Sequence, residues 1–319
     1  MHVASRLSRR LATSLLLLLP TLLIAGCTSL PLGLDETPAA LDTRRIDALT
    51  YTPKDWPTPL QADVYLPDTA DHAGLRPAAL VVHGGGWQRR ERADMDAIAK
   101  RLAQRGYVAV NIDYRFAPTY RFPAQLHDLQ QAMHWINHHA ERWRIDTDRI
   151  IGVGYSSGAH LVSLLAVMNA RNPLDSPYGG PETRLAGVLA GGTPTDLSRF
   201  DDGRLLNDFI GGPQAEYPDR YRQASPLRQL DDNAPPFFLF HGTLDGLVPI
   251  EQANVFQTAL DERGIANTLY RLRWRGHYTT FLTAGPAIEA GLDFLDRQLA
   301  PAPVTAQSAS GIMTTPPNR

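Results

Sequence analysis

Cysteine is almost missing from this sequence. One occurs in 319 residues, Cys27, so the chain cannot form an internal disulfide and its core alone must hold the fold. An excess of either charge is missing as well, since 31 basic and 33 acidic side chains nearly cancel and no long run of like charge breaks the chain. A nucleic-acid-binding surface needs a basic surplus, and that class is set aside. Metal and phosphate signatures are absent: there is no His-Glu-x-x-His, no cysteine cluster, no Gly-x-x-x-x-Gly-Lys-Ser/Thr and no Gly-x-Gly-x-x-Gly. A membrane-spanning helix needs about 20 apolar residues. The apolar run from Leu11 to Gly26 is shorter than that and is interrupted by Pro20. With 43% hydrophobic and 20% charged residues, neither disorder nor a multi-span membrane protein is indicated.

What is present begins at the N-terminus. Arg6, Arg9 and Arg10 precede the apolar run, and small residues close it, which is the layout of a secretory signal over residues 1–26. Its end, Ile24-Ala25-Gly26-Cys27, is similar to a bacterial lipobox. That resemblance implies cleavage before Cys27 and lipid attached to it. Thr28 stands where inner-membrane lipoproteins of Gram-negative bacteria carry Asp, so the resemblance further implies an exported protein anchored at the outer membrane. Residues 27–44, rich in Pro, Thr, Leu and Gly without periodicity, read as a tether, and the Pro/Ala/Ser/Thr-rich residues 301–319 as a disordered tail. One domain over residues 45–300 is the simplest parse of the rest.

Within that domain, short apolar runs alternate with helical patterns. Ala78–Val82, Val108–Ile112, Ile150–Val153, Ala186–Leu189, Phe237–Phe240 and Thr268–Leu272 suit strands buried on both faces, hence a mainly parallel sheet. Leu126, Leu129, Met133 and Ile136 give Ala124 to Trp143 one apolar helical face, and Ser157–Ala170 and Gln252–Arg263 are shorter helices. The alternation predicts an open α/β sheet with helices on both sides, and Ile46–Thr52 with Gln61–Leu66 predict an antiparallel pair at one edge. Residues 193–234 break the alternation and read as an insertion or lid. His127, His134, His138 and His139 share one helix and read as solvated face residues rather than a metal site.

Chemistry enters at Gly154-Tyr155-Ser156-Ser157-Gly158, which follows the Ile150 strand and opens a helix. Gly-x-Ser-x-Gly in a strand–turn–helix context makes Ser156 a nucleophile candidate, because only small flanking residues fit so tight a turn. A serine hydroxyl needs a base, and the base needs an orienting acid. In this chain order the acid comes next, and Asp245 lies in the loop after the Phe237 strand, whereas Asp231 and Asp232 precede that strand. His277, after the last strand, is then the base candidate, while His160 and His241 read as structural. His83-Gly84-Gly85-Gly86-Trp87 follows the Leu80 strand. Its glycines let backbone N–H groups approach a developing oxyanion: Gly85 and Gly86 as donors with Ser157, and Gly84 shaping the turn.

As a set, His83–Trp87, Asp113-Tyr114-Arg115-Phe116-Ala117-Pro118 with Phe122-Pro123-Ala124, Gly154–Gly158 and the Asp245 and His277 loops resemble a hormone-sensitive-lipase-like carboxylesterase. The match spans almost all of residues 78–280. Ser157 and Thr119 depart from the family's usual Ala or Asp and Glu. The resemblance implies an α/β-hydrolase fold, with a mainly parallel sheet of about eight strands and helices on both faces. It also implies an ester hydrolase working through an acyl-enzyme on small to medium substrates, with no cofactor or metal and with Asp113 in a supporting turn. Two alternatives stay open: an amidase, formamidase or peptidase on the same scaffold, and an inactive lipid-anchored binding protein.

Overall fold

The structure, a computed structural model, describes residues 40–68, 74–201 and 203–300. The signal segment, Cys27, most of the tether and the C-terminal tail lie outside the described residues.

Eight strands form one sheet. They are β1 (Thr43–Thr50), β2 (Gln61–Pro67), β3 (Arg76–Val82), β4 (Val108–Ile112), β5 (Ile145–Tyr155), β6 (Gly187–Gly191), β7 (Phe237–Gly242) and β8 (Asn267–Leu272), in the order β1-β2-β4-β3-β5-β6-β7-β8. The β1–β2 and β2–β4 pairs are antiparallel and every other pair is parallel. The sheet expected from the apolar runs is therefore present, with its antiparallel pair at one edge.

Period-two alternation sorts the central strands' side chains between two apolar layers. Ala78, Leu80 and Val82 join Leu126, Leu129, Met133, Leu161 and Leu164 on one face, while Ala79 and Val81 join Ala99, Leu102, Leu292 and Leu295 on the other. With both faces covered, the strands must be apolar throughout, which is why they read as unbroken runs. Leu80 is fully buried, and truncating such a residue to Ala costs about 2–5 kcal/mol.

The helices are α1 (Asp96–Gln104), α2 (Ala124–His138), α3 (Ala140–Trp143), α4 (Ser157–Ala166), α5 (Arg204–Ile210), α6 (Pro218–Gln223), α7 (Pro226–Gln229), α8 (Glu251–Glu262), α9 (His277–Leu282) and α10 (Gly285–Gln298). The single helix expected over 124–143 is thus divided at His139. His127 and His134 are less solvated than their spacing suggested, because the 173–183 segment lies against α2, and His139 is covered by Trp135 and Trp143. The His127 ring meets Tyr178 at 5.0 Å, His134 bonds Glu182 and the Tyr178 carbonyl, and His139 stacks on Trp143 at 4.8 Å. Of the four, only His138 is exposed. Residues 193–234 cross from β6 to β7 and hold α5, α6 and α7. Leu206, Phe209, Ile210 and Tyr221 are buried there, and Phe209 stacks on Trp87 at 4.4 Å.

Candidate active site

Every strand that bears a site residue runs parallel, so β3, β5, β7 and β8 deliver their following loops to the same end of the sheet. Ser156 occupies the turn between β5 and α4 with φ 54° and ψ −122°, a backbone conformation that L-residues adopt only under constraint. Crowding supplies that constraint. A Cβ on Gly158 would lie 2.1 Å from the Val82 carbonyl oxygen, and one on Gly154 would lie 2.5 Å from the Gly158 carbonyl carbon. The two motif glycines are therefore fixed by the close approach of α4 to β3 and β5.

Three side chains from distant loops converge on this turn. The Ser156 hydroxyl donates to His277 Nε2 at 2.9 Å, and His277 Nδ1–H donates to Asp245 Oδ2 at 2.7 Å. The other Asp245 oxygen accepts the Leu247 and Val248 N–H groups at 3.0 and 2.8 Å. Asp245 and His277 are 6% and 7% exposed, so this relay is shielded from bulk water. Burial acts to raise the Asp245 carboxyl's pKa. The His277 and Val248 N–H donors, with the nearby imidazoles, outweigh it and hold the group below the ordinary carboxylate range. Asp245 is accordingly an anion at neutral pH and fixes the tautomer that leaves Nε2 free to accept. Asp231 lies elsewhere and accepts from Asn169 at 2.9 Å.

His241 and His160 are both structural in their contacts. His241 Nε2–H donates to the Val248 carbonyl at 2.8 Å, tying the Asp245 loop back to β7. His160 is fully buried, accepts the Trp87 indole N–H at 3.2 Å and donates to the Ala224 carbonyl at 2.6 Å. Burial lowers its pKa to about 4, so the ring is neutral and can play both parts.

The His83–Trp87 loop packs directly on the serine turn. A Cβ on Gly84 would meet the Tyr155 carbonyl oxygen at 3.0 Å and Ser156 Cβ at 3.3 Å. Gly85 has φ +120°, and a side chain there would strike the Arg89 carbonyl at 2.0 Å, so both conformation and space demand glycine. The N–H groups of Gly84, Gly85, Gly86 and Ser157 have no acceptor among the described residues. Ala117 N–H donates to the Trp87 carbonyl at 2.9 Å, so the Asp113–Pro118 turn braces this loop. Asp113 itself bonds Arg92 and its N–H, away from the serine. Beside the turn, a cavity of about 420 Å³ is lined by Asp113, Tyr114, Arg115, Phe116 and Arg90.

Two neighbours of the relay gave no sign in the sequence. Tyr155, the variable position before the serine, donates its hydroxyl to the His277 carbonyl at 2.5 Å and packs its ring 5.1 Å from the imidazole. Gly192 approaches the same pair, and a Cβ there would sit 3.0 Å from Tyr155 Cζ and 3.1 Å from His277 Cε1. Among the described residues no cluster of His, Cys, Asp and Glu could hold a metal ion.

The chain is similar to Esterase LipC of Mycobacterium tuberculosis, 32% identical over 191 residues, which cover 56% of this chain and 47% of that protein. It is similar to Esterase LipQ of the same organism at 28% over 216 residues, 65% of this chain and 51% of that one. The chain thus spans about half the length of these curated relatives. Among solved structures, the apo form of Thermogutta terrifontis esterase 2 superposes with a TM-score of 0.68 at 24% identity, over 84% of this chain and 98% of that one, and shares the fold. A bifunctional GH43-CE protein of Bacteroides eggerthii gives 0.71 at 25% identity, over 80% of this chain and 35% of that one. The profile of the BD-FAE family matches residues 62–260, more than half of the sequence and both the Gly84–Gly86 and Ser156 loops. On this match, carried by an α/β-hydrolase fold, the chain belongs to the BD-FAE family.

Proposed function

We propose that the protein is a serine carboxylic-ester hydrolase that works through an acyl-enzyme. The observation that carries this reading is the unbroken Asp245–His277–Ser156 hydrogen-bond relay lying against a glycine loop with unspent N–H donors. Ser156 Oγ attacks the ester carbonyl carbon as its proton passes to His277 Nε2. The carbonyl oxygen becomes an oxyanion, which the Gly85, Gly86 and Ser157 N–H groups stabilise while Gly84 keeps the loop close. One such donor contributes about 10²–10³-fold to turnover. Collapse of the intermediate breaks the bond to the alcohol, which leaves with the proton from His277. Water then gives a proton to the same nitrogen, attacks the acyl-enzyme and releases the carboxylic acid and Ser156. Relatives named as esterases support ester bonds over amides as the target.

A fluorophosphonate probe and p-nitrophenyl esters test this directly. The wild-type protein should be labelled at Ser156 and turn over p-nitrophenyl butyrate, and Ser156→Ala should lose labelling and roughly 10⁶-fold in kcat. Labelling without turnover of any ester, but with turnover of aryl-formamides or dipeptide anilides, would move the assignment to amide bonds. No labelling at all would leave the scaffold a binding protein.

We further propose that residues 1–26 are removed on export, that Cys27 carries lipid, and that residues up to 44 tether the domain to the outer membrane. Cys27→Ser should then move the protein from the membrane fraction to the soluble one.

A further inference from the structure

Scattered apolar side chains face water on every protein, but a cluster of them marks a contact surface. Among the described residues, eight large apolar side chains stand clearly exposed. Six of these, Leu205, Leu244, Leu247, Trp274, Tyr278 and Leu282, belong to the loops that carry Asp245 and His277, to α9, and to the helix that covers Gly86. Trp274 is 71% and Leu282 is 78% exposed, whereas the other four tryptophans are buried or half-buried. The two loops are one unit: Leu244 N–H donates to the Arg275 carbonyl at 2.9 Å, and Trp274 N–H to Thr243 Oγ1 at 2.9 Å. Tyr278 and Leu282 lie one helical turn apart, on the same side of α9.

The 271–275 segment of this rim carries charge of one sign. Arg271, Arg273 and Arg275 alternate with Leu272 and Trp274, and all three are exposed. Arg271 donates to the neutral amides of Asn254 and Gln257. No carboxylate among the described residues pairs with any of the three, although Arg45, Arg92, Arg105, Arg115 and Arg184 each hold one. An exposed indole between guanidinium groups without carboxylate partners, with an exposed phenol in the first turn of α9, matches the lipid–water boundary, where aromatic rings settle at headgroup depth and arginines meet phosphate. A second copy of the chain fits less well, since a two-fold contact through this rim would turn the same arginines towards each other.

We propose that the rim docks on a lipid–water interface bearing anionic phosphate headgroups, and that ester substrates with acyl chains reach Ser156 from that interface. The docking stands on the rim alone, while the substrate clause rests on the hydrolase reading above.

Trp274 is its own probe. The full-length protein is mixed with vesicles of phosphatidylcholine, with and without phosphatidylglycerol, whose acyl chains carry bromine. Bromine should quench part of the tryptophan emission in the phosphatidylglycerol vesicles, and Trp274→Phe should remove that part. At about fivefold per arginine, Arg273→Gln with Arg275→Gln should lower the docked-to-free ratio about 25-fold. These variants share one N-terminus, so attachment through it is common to all, and thermal melts check their folding. Iodide quenching of Trp274 that is unchanged by either vesicle overturns the docking. So does shielding of Trp274 without lipid together with a doubled sedimentation mass, which would give the rim to a second copy. Turnover of p-nitrophenyl butyrate is read in the same samples. Bromine quenching without turnover would remove the ester-hydrolase reading and keep the docking, and turnover without quenching would remove the docking alone.

Discussion

The two halves of the site are held by different physics. On the nucleophile side, Gly84, Gly154 and Gly158 sit so close to neighbouring backbone that a Cβ would fall 2.1–3.0 Å from it. On the acid–base side a Cβ on Gly242 would likewise fall 2.3 Å from the Arg275 carbonyl oxygen, but further along the loop, at Gly246, a Cβ would meet nothing within 4 Å. There the Asp245 loop is held by hydrogen bonds: two backbone N–H groups on one carboxylate oxygen, and His241 on the Val248 carbonyl. The serine turn is thus fixed by shape inside the core. The Asp245 loop beyond Gly242 is fixed by directed polar contacts beneath a solvent-facing apolar rim. Close packing tolerates almost no added volume, whereas a hydrogen-bonded loop tolerates volume but not the loss of a partner.

The largest expected effect on the acid–base side tests that second clause. Asp245→Asn keeps the volume and changes only the charge and the acceptor pattern, so His277 should take the wrong tautomer. A loss of about 10⁴-fold in kcat is expected on p-nitrophenyl butyrate, with melting temperature little changed. A loss below tenfold would mean that Asp245 merely fills space, and the contrast between the halves would fail.

Gly158→Ala is the counterpart on the nucleophile side. Its methyl group would press on the Val82 and His83 carbonyl oxygens, so α4 must shift and carry Ser156 with it. Overpacking of this kind costs about 1–3 kcal/mol, and a displacement near 1 Å at the nucleophile costs about 10²-fold in rate. Urea unfolding and kcat should therefore fall together. Unchanged values of both would show that the turn has slack.

Much of this was legible before any coordinates. The strands were visible because a doubly covered sheet needs unbroken apolar runs, and the serine turn because its sterics admit only small residues at Gly154 and Gly158. Hydrophobic periodicity reports which face is buried, not which partner it meets, and the rest was lost there. Nothing local marks that the Tyr155 hydroxyl ends on the carbonyl of His277, 122 positions away, or that Trp87 donates to His160. His127 and His134 looked solvated for the same reason, since the segment that covers them carries no period. Residues 193–234 broke the alternation and so gave no sign that Phe209 stacks on Trp87.

Acid should bear on both halves, since burial lowers the pKa of His241 as well as that of His160. His160 is buried and neutral in the nucleophile half, with its pKa pushed down to about 4 from an unfolded value near 6.5. Protonation therefore favours the unfolded chain. The stabilisation is complete above pH 6.5 and declines as pH falls towards 4, by at most about 3 kcal/mol. Urea midpoints across that window should fall, and His160→Gln should flatten the slope, although it lowers stability throughout. An unaltered slope would assign the acid sensitivity to another group, such as His127, which burial also pushes to about 4.

The smallest expected effect is the most discriminating for the acid–base half. Gly246 lies next to Asp245, yet its φ is not in the left-handed region and open space surrounds its Cα. Gly246→Ala should leave kcat within about twofold and raise stability by about 0.4–1 kcal/mol, by narrowing the unfolded chain's freedom. Steady-state kinetics and a urea melt on one preparation would measure both. If kcat instead drops tenfold while the melt is unchanged or improved, the loop must flex during turnover. The Val248 and Leu247 N–H groups would then hold Asp245 in only one of the states that the reaction visits.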